Sequence, residues 1–163
     1  METRPHSLTA PASPTELAWL AGILRGEIPL GQAMALEIRR LDQQGIVLNA
    51  PLAPNRNDKG TAFGGALASL MILAGWSLPR LLIERAEVAA ELVIGRCQLE
   101  FLKPLRADLE AVCAWPESAQ LTRFFDRLSS RGRAGLDLEV VVIDDGEAVA
   151  RLSARYAALG LQP

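Results

Sequence analysis

The chain has 163 residues, half of them apolar and 22% charged, with 17 basic and 19 acidic side chains and a formal charge of -2. That is enough chain for one domain with a full core, and too apolar a chain to stay unfolded. The signs are well mixed, so there is no basic footprint for nucleic acid and no charged tail.

In chain order, residues 1–12 are rich in Pro, Ser, Thr and Ala and are expected to form a disordered arm ahead of a single domain over 13–163. Ser13-Pro14-Thr15-Glu16 reads as a helix start: Ser13 caps, Pro14 fits the first helical position and Glu16 completes a capping box. Leu17, Leu20, Ala21 and Leu24 form its apolar stripe, and Gly26 is a suitable stop. Met34, Leu36 and Ile38 alternate with polar or small residues, Gln43-Gln44-Gly45 can turn the chain, and Ile46, Leu48, Ala50 and Leu52 alternate again. That pattern predicts a hairpin which leaves the sheet at Pro51 and Pro54.

Asn55 to Thr61 is a polar loop. Gly64-Gly65 then opens a run to Trp76 that is apolar on every face, as expected of a helix surrounded by protein. Ala62 to Leu78 is only 17 residues, contains three glycines and two serines, and lacks aromatic or basic anchors, so it reads as a core helix rather than a membrane span. Pro79 should end or kink it, leaving Arg80 to Glu87 as an exposed turn or two. A strand follows over Glu91 to Leu102, with Val93, Gly95, Cys97, Leu99 and Phe101 on one face. A second starts at Asp108, with Leu109, Ala111, Cys113 and Trp115 on one face. Ser118 to Ser130 is an amphipathic helix, and Leu136 to Ile143 and Ala148 to Leu159 are strands joined at Asp145-Gly146. About six antiparallel strands and one helix without a polar face predict an α+β domain, a curved sheet wrapped around a long central helix.

The inventory of reactive groups is short. Cys97 and Cys113 lack metal-ligand spacing and read as small buried hydrophobes, and no metal site is expected. The only histidine, His6, lies in the N-terminal arm, far from any triad or zinc arrangement. Chemistry must therefore run on carboxylates, amides, hydroxyls and backbone N–H groups. The informative stretch is Asn55 to Gly65. A helix N-terminus leaves N–H groups unpaired and partly positive, and two glycines let a ligand come close. Such a tip suits a phosphate or a thioester oxygen that gains negative charge. Asn55, Asn57 and Thr61 add neutral polar groups, and Asp58 is the carboxylate of the loop. Ser69, a turn and a half along the helix, has no histidine to activate it and is expected to bond a backbone carbonyl.

The spacing Asn57-x-x-Gly60-x-x-Phe63-Gly64-Gly65 resembles the hotdog acyl-CoA thioesterase motif Asn-x-x-Gly-x-x-His-Gly-Gly, and Phe101-Leu102-Lys103-Pro104-Leu105 resembles a junction between the middle strands of that fold. Ala50 to Asn57, Gly60 to Gly65 and Ala74-Gly75-Trp76 are similar to the "putative thioesterase" domain that some bacteria fuse behind an acetyltransferase domain, a likeness running from Ile28 to Leu159. The resemblance implies a hotdog fold and a cytoplasmic homodimer, or a dimer of dimers, with sites between subunits. It implies an acyl thioester as substrate, with coenzyme A or the phosphopantetheine of acyl carrier protein entering as part of it and no separate cofactor. The thioester carbonyl would lie against Gly64 and Gly65, with Phe63 and Ser69 lining the substrate and Asn57 orienting water or substrate. Lys103 and Arg106 are candidate phosphate contacts for the carrier arm.

Two positions depart from the motif. Phe63 stands where the thioesterases carry histidine, and Ile72, nine residues on, stands where they carry a helix carboxylate. Hydrolysis ordinarily needs a general base. Three activities therefore follow from the resemblance: a thioesterase aided by Asp58 or bound water, a malonyl-carrier-protein decarboxylase that needs no base, and an acyl-CoA binding module without catalysis.

Overall fold

The computed structural model describes residues 8–161. Helix α1 (Pro14–Gly22) starts on the expected capping box, with Ser13 Oγ accepting from the Glu16 N–H and Glu16 Oε2 accepting from the Ser13 N–H. It loosens into a π turn over Ile23–Glu27 before the short α2 (Pro29–Ala33). Ahead of α1 the chain is docked rather than loose. Leu8 is buried, and the Arg85 guanidinium donates to the carbonyls of Leu8, Ala10 and Pro11 and to the Glu16 carboxylate. Within the arm expected over residues 1–12, one side chain thus gathers three carbonyls; residues 1–7, and His6 with them, lie outside the described residues.

Strands β1 (Glu37–Asp42) and β2 (Gly45–Ala50) form the predicted hairpin. β1 starts later than the alternation suggests, because Met34 to Leu36 still belong to the turn after α2, with Ala35 at φ 53°. Leu52 lies beyond β2, which ends at Ala50, ahead of the single 3-10 turn Ala53–Asn55.

Helix α3 (Gly64–Arg85) does not end at Pro79 but continues past it. A proline inside a helix costs about 3 kcal/mol. Leu81, Leu82 and Ile83, expected on an exposed turn, are instead buried, and each contributes about 1.5–3 kcal/mol. Core burial outweighs the lost hydrogen bond, so the helix continues. By length and composition α3 could cross a membrane, but 72% of its apolar window is buried inside the protein, as expected of a core helix.

The remaining elements are β3 (Ala90–Phe101), β4 (Leu109–Ala114), α4 (Ser118–Arg131), β5 (Arg133–Asp144) and β6 (Glu147–Gly160). Asp145 and Gly146 both have positive φ and turn β5 into β6. The six strands form one antiparallel sheet in the order β1-β2-β4-β5-β6-β3, curved around α3, which touches β2 through β6. The hotdog architecture is thus present.

Two details shape the site. The sheet ends on β3, a twelve-residue edge whose register shifts at Gly95. The bulge turns Leu92 and Ile94 inward and Val93 outward, against the simple alternation. Cys97 shares the inner face with Leu99 but is exposed, not buried, because nothing covers this edge; only Cys113 is a buried thiol. Within one chain α3 is also not enclosed on all sides: Gly65, Ala68, Ser69, Ile72, Leu73 and Trp76 form a partly exposed stripe.

Candidate active site at the tip of the central helix

The tip of α3 is held by a loop that bonds to itself. Asn57 Oδ1 accepts from the Lys59 and Thr61 N–H groups, Asn57 Nδ2 donates to Thr61 Oγ1 at 2.8 Å, and the Asn57 N–H donates to the Thr61 carbonyl at 2.7 Å. Gly60, at φ 76°, makes the turn between them. The loop is then tied down at both ends. Ala62 N–H donates to the Leu105 carbonyl, and Phe63 N–H donates to the Asn55 carbonyl, both at 2.8 Å.

Asn55 is 3% exposed and spends both amide hydrogens on the carbonyls of Met34 and Pro51. It joins the loop to α2 and β2. Such a group is a brace, since removing it would leave buried carbonyls unpaired. Thr61 is buried under Asn57. Asp58 points away: its side chain is 81% exposed and pairs with Lys59. The structure therefore brings Asn57 and Thr61 together as loop supports and leaves Asp58 in solvent.

What the loop presents is the start of α3. Phe63 caps the helix without a side-chain hydrogen bond, and the Gly64 and Gly65 N–H groups find no backbone partner among the described residues. Two polarised donors therefore point outward at the positive end of a 22-residue helix. Beside them opens a cavity of about 360 Å³ lined by α2, by Pro54, Asn55 and Arg56, and by Phe63, Gly65, Ala66 and Ser69. Met34 and Leu30 make its far wall apolar. Ser69 Oγ donates to the Gly65 carbonyl at 2.8 Å, as expected of a serine without a base.

Arg56 is the one ionisable side chain lining this cavity, and among the described residues it has no ion-pair partner. In the sequence Arg56 is one more polar loop residue, and its place between two asparagines gives no signal. Ile72 presents no carboxylate, and its carbonyl accepts from the Tyr156 hydroxyl at 2.8 Å. Burial pushes the Cys113 thiol up to about 12, which keeps it protonated and inert. Lys103 is occupied by Glu147, whereas Arg106 is exposed.

A six-stranded antiparallel sheet around one long helix, with a cavity at that helix's open N-terminus, defines a hotdog-fold protein. The family model described as "Putative thioesterase" matches residues 17–160, and the chain belongs to that family. A protein of unknown function from Chlorobaculum tepidum is 27% identical and superposes with a TM-score of 0.88 over 95% of this chain and 99% of that one. A protein from Shewanella oneidensis described as a "putative thioesterase" is 25% identical, with a TM-score of 0.77 over 90% of this chain and 99% of its own. A Pseudomonas aeruginosa protein of unknown function, described as a "Probable Thioesterase", is likewise 25% identical, with a TM-score of 0.78 over 94% of this chain and 99% of its own.

Proposed function

We propose that this chain is an acyl-thioester hydrolase whose substrate is carried on coenzyme A or acyl carrier protein and whose carbonyl oxygen sits on the Gly64 and Gly65 N–H groups. The observation that carries the reading is the pair of unpartnered donors at the helix tip, of which Gly65 lines a cavity with an apolar wall and Gly64 stands beside it. As water adds to the thioester carbonyl, negative charge builds on that oxygen; collapse of the adduct breaks the C–S bond, and the departing thiolate takes up the proton that the water gives up. Fixed donors and the helix dipole favour it without having to reorganise. Asn55, Asn57 and Thr61 hold the donors in place, while Phe63 and Ser69 flank the acyl group. The coenzyme or carrier arm enters with the substrate and is not a resident cofactor.

Decarboxylation of a malonyl thioester is the second reading, favoured by one specific observation. Arg56 is the only ionisable group at the cavity, and no carboxylate or imidazole lines it. Breaking the bond to carbon dioxide leaves an enolate whose oxygen needs the same two donors; no base has to remove a proton, and water protonates the carbon to give the acetyl thioester. Arg56 would select the malonyl carboxylate.

We place the working form as a cytoplasmic homodimer. The long unpaired edge of β3, the partly exposed stripe on α3, and the exposed side chains of Phe63, Phe101 and Leu102 beside the helix tip support a second copy closing the site.

The test is incubation of the purified protein with malonyl-CoA, malonyl-carrier protein and a panel of acyl-CoAs, with products read by mass spectrometry. Free thiol establishes hydrolysis. Acetyl thioester with carbon dioxide establishes decarboxylation. Binding without turnover would reduce the protein to an acyl-CoA binding module and overturn both reactions.

A further inference from the structure

A second concave site lies on the outer face of the sheet, away from the helix tip. β4 pairs with β5 only at Val140 to Val142, and α4 packs along β5. Arg123, Arg127 and Arg131 are spaced four residues apart on α4, and Arg133 and Arg155 meet them from β5 and β6. Two adjoining hollows of about 270 and 250 Å³ share Arg127, Gly135 and Arg155. Gly135 is the floor: a β-carbon there would stand 2.6 Å from Arg155 Nε, so only glycine lets that guanidinium lie on the sheet.

The charge is unbalanced in a chain that is acidic overall. Asp137 is the one carboxylate lining these hollows, and it is bound to Arg155 at 2.7 Å. Among the described residues Arg123, Arg127, Arg131 and Arg133 have no ion-pair partner. Like charges four apart destabilise a helix. The helix dipole favours Arg131 in the last turn but gives no such support to Arg123 or Arg127. Folding alone gives no reason to gather these guanidiniums around a hollow.

We propose that the groove between α4 and β5–β6 binds a phosphate ester, the group shared by the nucleotide end of coenzyme A and the phosphodiester of a carrier protein's arm. Guanidiniums bind phosphate oxygens bidentately, and the four without a carboxylate partner can neutralise a multiply charged ligand. A concave, two-lobed groove suits a small phosphorylated molecule better than the flat face of an acidic protein. Its placement on the outer face makes it separate from the thioester site.

The test is calorimetric titration of the full chain with 3′,5′-adenosine diphosphate and, separately, with 4′-phosphopantetheine. Neither probe carries a thioester, so failure of the hydrolase reading would leave this result untouched. At least one probe should bind saturably, weaken with added salt, and bind about tenfold more weakly to Arg127→Ala and to Arg133→Ala. Both variants should melt at or above the temperature of the parent, because removing one charge relieves repulsion. Tighter binding of the first probe assigns the groove to coenzyme A, and of the second to the carrier arm. No binding of either probe up to about 1 mM, or unchanged binding in both variants, overturns the proposal.

Discussion

Phe63 lays its ring over Gly65, so that a β-carbon on Gly65 would stand 2.5 Å from Phe63 Cε1. The ring is 55% exposed and free to swing aside. Gly65→Ala should therefore fold, and alanine's helix propensity offsets the crowding to within about 1 kcal/mol. The displaced ring and the new methyl group should crowd the two donors and lower kcat/KM about tenfold. Adding Phe63→Ala should restore part of that loss. Steady-state kinetics with the best thioester substrate, beside thermal melts, measures both; equal activity in Gly65→Ala would remove close approach at Gly65 from the site.

Asn57 acts through the loop. Asn57→Ala removes three side-chain hydrogen bonds, two of them to N–H groups and one to a buried hydroxyl. A loss of about 1–3 kcal/mol in urea unfolding is expected, with at least a tenfold drop in activity as the helix tip loosens. Asn57→Asp keeps the acceptor and should lose less of both. Parallel urea curves and rates for the two variants check the ordering.

Deeper in the core, Gly75 faces the ring of Tyr156, and a β-carbon there would stand 2.8 Å from Cζ. The ring is buried and its hydroxyl is bonded to the Ile72 carbonyl, so it cannot retreat. Gly75→Ala should cost about 1–3 kcal/mol by overpacking. Tyr156→Phe alone should cost about 1 kcal/mol for the hydrogen bond. Since the hydroxyl end makes the clash, the double variant should be more stable than the sum of the two losses. Chemical denaturation of the four proteins in this cycle provides the check.

The N-terminal clamp gives the protein a pH signature. Hydrogen bonds from Arg85, aided by the Ser13 N–H, hold the Glu16 carboxyl at about 2, down from 4.5. A depressed carboxyl contributes stability above its unfolded value and loses it as the pH falls toward the folded one. Stability should therefore decline between about pH 4.5 and 2, and Glu16→Gln should flatten that part of the profile while costing about 1–2 kcal/mol at neutral pH. Melting temperatures of both proteins across that range test it.

Local chemistry was legible in the sequence where neighbours in the chain decide the structure. Ser13 with Glu16, the turn at Asp145-Gly146, and Gly64-Gly65 at the mouth of an apolar run each specify their geometry within a few residues. The loop from Asn57 to Gly65 could be placed ahead of the helix for the same reason. What escaped depended on distant partners. Pro79 fails to stop α3 because Leu81 to Ile83 find a core, and Val93 turns outward because of a bulge at Gly95. Cys97 is exposed because β3 is an edge. Asn55 looked like a site group and is a brace, since its bonds go to Met34 and Pro51, the first of them far along the chain. Arg56 and the arginines of α4 acquire meaning only once the cavity and the groove exist.

The central claim is that the Gly64 and Gly65 N–H groups receive the thioester oxygen. Nitrogen–proton correlation spectra of the isotopically labelled protein, titrated with a non-hydrolysable ketone analogue of acyl-CoA, read those two amides one by one. Both resonances should move downfield and saturate together with the rest of the cavity. Saturation of signals from Met34, Ser69 and Arg56 while Gly64 and Gly65 stay in place would contradict it.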